Sequence, residues 1–575
     1  AAIQNDIAQE AAIQEVVYEN DSLKESAMSS MFGAFGPSAT GEEGLVYIEN
    51  DVLRIGVSRK GGHPAQVELK NYQRSDSSKL ILFNPDEIDF DLSFFTASNN
   101  SIHTTDLFFE PSASSFNVTG TDSSSFTMRA NTSNGGYLEF EYVLKGGSHN
   151  IGFNLNLVNL DEVINRQAST LDLNWELDVP LQEKSIDAER MATTIYYAFG
   201  PDDVDYMSET SDDEEVLPAR VDWLAFKQTF FSSILYSKEA LDGPIDLKTV
   251  TPDEESGNDT LVRTLYASLG LPLSHTRTEQ LAMEFYFGPN HHTSLEAYER
   301  GYEDVIPLGW GIFGWVNEYA IIPVFNILAD TGLGYGIIIL ILTLLIKMVL
   351  FPLTYKAYLS TAKMRVLKPE IDEINKKFEK KEDPMAKQQA TMALYSKAGV
   401  NPLGGCLPMV LQMPILIAMF RFFPSSIELR QQAFLWADDL SSYDSIYDLP
   451  FDIPFYGDHV SLFTLLMTVS TIIYTRMNSQ MTAGGAQMEQ MKWMMYLMPI
   501  IFLGVFNNYA AGLSYYYFLA NVTTFGQQLA IRQFVDDDKI HKKMQETKKK
   551  PKKKSTFQKR LEDMAKQQQA KQKGK

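Results

Sequence analysis

"ILTLLIKMVLFPLT", residues 341–354, sets one lysine inside an apolar run. A charge at the centre of a hydrocarbon layer costs roughly 2.5–3.5 kcal/mol even on insertion-based scales. Lys347 therefore either snorkels its amine to the headgroups or faces a water-filled cavity between helices. Thr343, one turn earlier, shares its helix face. The run itself covers 333–352, and further apolar segments follow at 403–423, 460–474, 493–506 and 513–530. The third and fourth reach only about 21–23 Å as helix, against a hydrocarbon core of about 30 Å. Either alone fits a buried core helix; as a set of five they read as membrane spans.

Loop charges give an independent check. Residues 354–400 carry ten Lys/Arg and six acids, whereas 425–459 carry one Arg and seven acids, and "NNYAAG" (507–512) carries none. Basic and acidic connections alternate as five spans require, with the basic ones inside. Within 354–400, two charged amphipathic helices broken at "KKEDP" read as a hairpin. The whole chain has a net charge of −23, yet residues 539–575 hold fifteen Lys/Arg against three Asp/Glu. That tail has too little apolar content to pack and reads as a polycation for phosphate-bearing partners, ribosomal RNA or anionic lipid.

Upstream of Gly288 the hydrophobic period is two. "LVYIENDVLRIGVS" (45–58), "GYLEFEYVLKG" (136–146), "HNIGFNLNLVNL" (149–160), "STLDLNWELDV" (169–179) and "EQLAMEFYFGP" (279–289) alternate apolar and polar residues. Turn-forming clusters such as "NTSNGG" and "TPDEESGND" separate them, so a large antiparallel all-β domain is expected. Residues 1–41 are polar and read as a tether, with no secretory signal peptide at their start. "GIFGWVNEYAIIPVFNILAD" (311–330) reads as an interfacial amphipathic helix with Trp310 and Trp315 suited to headgroups.

Enzyme chemistry finds no support. There is no P-loop, no His-Glu-x-x-His and no nucleophile elbow. Cys406 is the sole cysteine, His291 and His292 are adjacent, and "DDEE" (212–215) reads as a solvated run. Neither a cofactor nor a metal is expected. A transporter would commonly show internal repeats with paired broken helices, and none is visible. A channel calls for recurrent polar lining, and a plain anchor has no use for five spans with polar residues inside them.

The sequence resembles the YidC membrane protein insertase family at "KAGVNPLGGCLPMVLQMPILIAMF" (397–420), "FPLTYKAYLSTAKMRVLKPEI" (351–371), "IELRQQAFLWADDLS" (427–441) and "MPIIFLGVFNNYAAGLSYYYFLANVTTFGQQLAIR" (498–532). A weaker likeness rests on "SRKGGHPAQVEL" (58–69) and "FYFGP" (285–289). The resemblance implies a bacterial inner-membrane protein: a periplasmic all-β super-sandwich, then an α-helical polytopic transmembrane bundle with its C-terminus in the cytoplasm. It implies boundaries at 42–290 for the β domain, 291–332 for linker and interfacial helix, 333–535 for the spans and 536–575 for the tail. The family's first transmembrane helix has no counterpart in these residues.

The implied function is to move short polar tails across the membrane through a hydrophilic groove and release apolar helices into lipid, alone or with the Sec translocon. Nascent membrane proteins, the ribosome through the basic tail, and membrane lipid are the implied partners. Lys347, Thr343 and Tyr517 match groove positions. Gln412, Asn521, Gln527 and Gln528 are polar residues within spans and are expected to turn inward with them. Leu411, Ile415, Met419, Met498 and Phe502 fall on the spans that form the family's apolar slide. The groove cation, usually arginine, is lysine here, a point charge without the bidentate fork.

Overall fold

A computed structural model describes residues 28–253, 257–378, 384–400, 407–481 and 486–549. Readings on residues 1–27, on the break at "KKEDP", on Cys406, on the side chain of Leu411 and on the tail beyond Lys549 lie outside the described residues. The chain divides into two units. One takes the residues up to Leu308 together with Ser425–Gln431, and the other takes Gly309–Pro424 and the remainder from Gln432.

The first unit is built from two sheets. Five strands are ordered Lys79–Phe83, Pro64–Gln73, Leu53–Ser58, Leu45–Glu49, Phe116–Asn117, and the last of these pairs parallel. A fourteen-stranded sheet takes the other strands, and the last of them in the chain, Thr278–Pro289, lies inside it. Period-two alternation produces the core directly. Asn150–Val158 buries Ile151, Phe153, Leu155 and Leu157 and leaves the intervening residues half-exposed. Both sheets feed one apolar cluster, in which Trp175 stacks on Phe226 at 4.0 Å and Phe153 meets Phe285 at 4.8 Å.

"SRKGGHP" has a physical explanation here. Gly61 and Gly62 turn the chain at φ +94° and +72°, and a Cβ on Gly62 would meet the rings of Phe109 and Phe140 at 2.9 Å. The turn delivers His63 into the core against Phe90, and its Nδ1 finds no hydrogen-bond partner among the described residues. Burial lowers the imidazole pKa to about 4, with Asp91 opposing the shift, and burial likewise holds His149 at about 4. A histidine depressed in the folded state supports folding above its unfolded pKa near 6.5, and that support is lost as pH falls toward 4. From His63 alone the expected loss is about 2 kcal/mol at pH 5. Urea unfolding at pH 7.5 and pH 5 tests this: His63→Leu should show a shallower pH dependence than wild type, and equal slopes would refute it.

Ser425–Gln431 folds with the β unit. Ile427 enters its core and Leu429 is buried. Arg430 donates from Nε to Glu183 Oε1 at 2.7 Å and from Nη2 to the Gln73 carbonyl at 2.6 Å, with its guanidinium 5.2 Å from the Phe231 ring centre. Gln431 Nε2 donates to the carbonyls of Gln73 and Arg74, each at 3.0 Å. Beside this clasp the buried Glu189 carboxyl is pushed up by burial and by Glu183.

The second unit is helical. We label its helices α1 (Tyr335–Val366), α2 (Lys368–Phe378), α3 (Pro384–Ala398), α4 (Leu407–Ser425, whose last residue joins the β unit), α5 (Leu462–Met481), α6 (Ala486–Asn507), α7 (Ala511–Phe534) and α8 (Asp537–Lys549). Among the described residues, Ile312–Ala329 and α1 are long and apolar enough to cross a membrane by length and composition. The former contains a π-turn at Asn317–Ile321 and buries one face, Asn317, Ile321, Ile322 and Phe325, leaving Trp315 and Tyr319 exposed, with Trp310 exposed just ahead of it. Helices α5 and α6 extend beyond their apolar stretches, Leu462–Met477 and Trp493–Asn507, by adding polar turns at one end.

The start of the basic tail departs from the sequence reading. Instead of remaining unpacked, α8 inserts Met544 into a cluster with Met364, Leu367, Ile371 and Tyr395. Asp537 accepts from Arg365 at 2.8 Å, and Lys548 pairs with Glu370. Two apolar residues spaced one turn apart, Ile540 and Met544, suffice to dock a lysine-rich helix. Truncation after Lys549 is therefore expected to leave α2 and α3 as resistant to trypsin as in the full chain. Truncation after Asp536 removes a buried methionine, a change that costs about 2–5 kcal/mol in packed cores, and should speed their cleavage. Equal cleavage in both truncations would overturn the docking.

Candidate functional site

Helix α1 is apolar on nearly every side, so its polar residues mark what it faces. Leu344, Leu345, Met348 and Val349 are exposed, whereas Thr343 is fully buried and Lys347 is only 4% exposed. Thr343 Oγ1 donates to the Ile339 carbonyl at 2.7 Å, a back-bond that satisfies the hydroxyl within its own helix. Lys347 makes no ion pair among the described residues, and its backbone carbonyl accepts from Gln527 Nε2 of α7 at 3.0 Å. The carboxamide oxygens of Gln527 and Gln528 are buried without a partner among the described residues.

Helix α7 is the hub. Asn521 Nδ2 reaches α5, donating to Ser470 Oγ at 2.9 Å and Thr471 Oγ1 at 3.0 Å. Tyr517 donates its hydroxyl to the Leu416 carbonyl of α4 at 3.1 Å. One helix thus makes polar contacts with three others, and Lys347, Thr343, Tyr517, Asn521, Gln527 and Gln528 all fall on α1 or α7. Gln412 is half-buried on α4, and among the described residues no bond ties it to this set.

The slide positions divide. Met498 and Phe502 are exposed on α6 within an apolar surface that includes Ile500, Ile501 and Val505. Ile415 is half-buried, and Met419 is fully covered, so it supports the α4 surface from beneath.

A second polar network was missed by sequence reasoning. Asp444 accepts from the backbone N–H groups of Leu462 and Phe463, from Trp436 Nε1 and from Ser461 Oγ, capping the start of α5. Asn507, at the end of α6, accepts from Ser461 N–H at 3.0 Å and donates to the carbonyls of Tyr456 and His459. Thr464 Oγ1 lies 3.0 Å from Ser514 Oγ, joining α5 to α7. The one local signal was Ser461-x-x-Thr464, a cap pattern; the other partners are remote in sequence.

Among the described residues no group of three or more His, Cys, Asp or Glu could hold a metal ion. Comparison with known proteins gives matches over both units. The family model described as 60Kd inner membrane protein matches residues 327–538, and that of the YidC periplasmic domain matches residues 45–319. The membrane protein insertase YidC of Parabacteroides distasonis is 42% identical over 563 residues, covering 96% of this chain and 87% of that protein. Its namesake in Bacteroides fragilis is 40% identical over 555 residues, covering 95% and 88%. Among solved structures, a putative aldose 1-epimerase from Escherichia coli overlaps 43% of this chain and 100% of its own, with 8% identity and a TM-score of 0.27. That overlap is too weak to carry a functional argument.

Proposed function

This chain belongs to the YidC family of membrane protein insertases, and from that premise we propose how it moves its substrates, nascent inner-membrane proteins. Short polar tails cross by way of a hydrophilic groove between α1 and α7, and apolar helices leave along the exposed faces of α4 and α6. The observation that supports this best is Lys347. It is a buried cation in the apolar first half of α1, where Gln527 of α7 bonds its backbone carbonyl. Such a charge belongs beside water or a passing carboxylate rather than in lipid. At an effective dielectric of about 20, opposite charges about 4 Å apart attract by roughly 4 kcal/mol before desolvation, enough to recruit an acidic tail transiently.

The short apolar stretches of α5 and α6 act in the same direction, because a bilayer thins around a hydrophobic segment shorter than itself. In this reading the β unit is a periplasmic super-sandwich, and the five long helices α1 and α4–α7 form the membrane bundle, with the basic connections and α8 in the cytoplasm. The folding of Ser425–Gln431 with the β unit supports that arrangement, since the chain between α4 and α5 passes through the β unit. Ribosome binding belongs to the basic tail, and the Sec translocon is an optional partner.

Reconstitution tests the proposal. The purified protein alone in liposomes is expected to insert a small single-span substrate without an energy source. Impermeant thiol reagents applied from the β side should label Asp452→Cys but not Lys376→Cys. No insertion above protein-free vesicles would sink the autonomous mechanism, and labelling at position 376 would sink the orientation.

A further inference from the structure

Residues 447–460, between α4 and α5, form a hairpin of Tyr447–Ile453 and Gly457–Val460. Along its first strand apolar residues alternate in sequence with acidic residues or proline, Tyr447, Leu449, Phe451 and Ile453 with Asp448, Pro450 and Asp452 between them, and the pairing is interrupted by a bulge between Asp448 and Ile453. In a soluble sheet apolar side chains like these would be covered. Here Tyr447, Phe451 and Ile453 are exposed, and Phe455 at the tip is 96% exposed.

The tip is also strained. Tyr456 N–H closes the turn onto the Ile453 carbonyl at 2.9 Å, and Phe455 sits within it at φ +66°, a conformation that favours glycine and is an outlier for a bulky side chain. The hairpin does not stand off in solvent. Asn507 fixes it through the Tyr456 carbonyl, and a Cβ on Gly504 would lie 2.6 Å from the Phe455 carbonyl oxygen. The turn thus rests on α6 about one helical turn inside its end, near the exposed Ile500, Ile501 and Val505.

We propose that the 447–460 hairpin is a membrane-inserting element, lying in the outer-leaflet interface with Tyr447, Phe451, Ile453 and Phe455 among the acyl chains. Continuity argues for lipid as the occupant: the apolar tip adjoins the surface that α6 presents to the bilayer, and the chain enters α5 just beyond Val460. Asp448 and Asp452, exposed between these apolar residues, stay in water, the mixed character of an interfacial element. An inserted wedge beside the shortened apolar length of α6 adds local disturbance where a translocated tail emerges. The inference rests on the reading of α6 as a membrane span.

The test uses full-length protein with Cys406→Ser, reconstituted in phosphatidylcholine–phosphatidylglycerol vesicles. Single cysteines replacing Phe455, Asp452 and Ile501 carry an environment-sensitive fluorophore. Quenching by brominated acyl chains is compared with quenching by aqueous iodide. Positions 455 and 501 are expected to be quenched by brominated lipid at least about threefold more than position 452, which iodide should reach. If 501 responds to lipid while 455 responds to iodide, or to neither quencher, the hairpin is wet or covered by protein and the proposal is overturned while the span stands. If 501 itself ignores brominated lipid, the span reading fails and takes the proposal with it. Unchanged melting of Phe455→Gly, which suits the turn, separates loss of anchoring from misfolding.

Discussion

Lys347→Glu is expected to slow insertion of substrates with acidic tails at least about tenfold, equivalent to roughly 1.4 kcal/mol, while sparing those with neutral tails. The sign follows from the site. Lys347 is buried, Gln527 of α7 bonds its backbone carbonyl, and no carboxylate pairs with it among the described residues. In the proposed groove, reversing the charge turns attraction into repulsion. Lys347→Ala should fall between, and Lys347→Arg should retain activity because the cation persists. The hold must stay modest, since a tail gripped tightly would not leave, and an ammonium without arginine's fork suits a transient contact. Insertion rates measured in parallel for acidic and neutral tails decide the matter. If Lys347→Ala inserts both classes at the wild-type rate, the lysine is a snorkelling anchor.

The parts of this molecule that were legible are those specified by local repetition. "HNIGFNLNLVNL" announces a strand because its side chains alternate across a pleat, and Asn150–Val158 buries every second one. The helical half was legible from apolar length and loop charge together. What stayed hidden depends on pairs distant in the chain. Asp444 reads as one more loop acid until it caps α5, and Arg430 lies 247 residues from Glu183. Met419 was unreadable for another reason: in a helix apolar on all sides, periodicity cannot distinguish an inward methionine from one that faces lipid. The docking of α8 was masked by its lysines, because composition weighs charge heavily and two well-spaced apolar side chains lightly.

Arg430→Ala is expected to destabilise the β unit by about 3–5 kcal/mol, the usual cost of removing one partner from a buried ion pair. Its guanidinium satisfies Glu183 and the Gln73 carbonyl together and packs over Phe231, all with almost no exposure to water. Without the cation, Glu183 lies buried beside Glu189, whose carboxyl is already pushed up, and one of the two must stay protonated or draw in water. Arg430→Lys should recover only part of the loss, because an ammonium cannot hold the carboxylate and the carbonyl in the same planar fork. The double change Arg430→Met with Glu183→Leu removes both charges and should recover most of it, since apolar replacement of a buried pair is often neutral. Urea midpoints of the purified protein, followed by tryptophan fluorescence, give the comparison. If all three variants unfold with the wild-type midpoint, the clasp is incidental. If Arg430→Ala alone collapses, Ser425–Gln431 is an integral part of the β fold, donated from between α4 and α5.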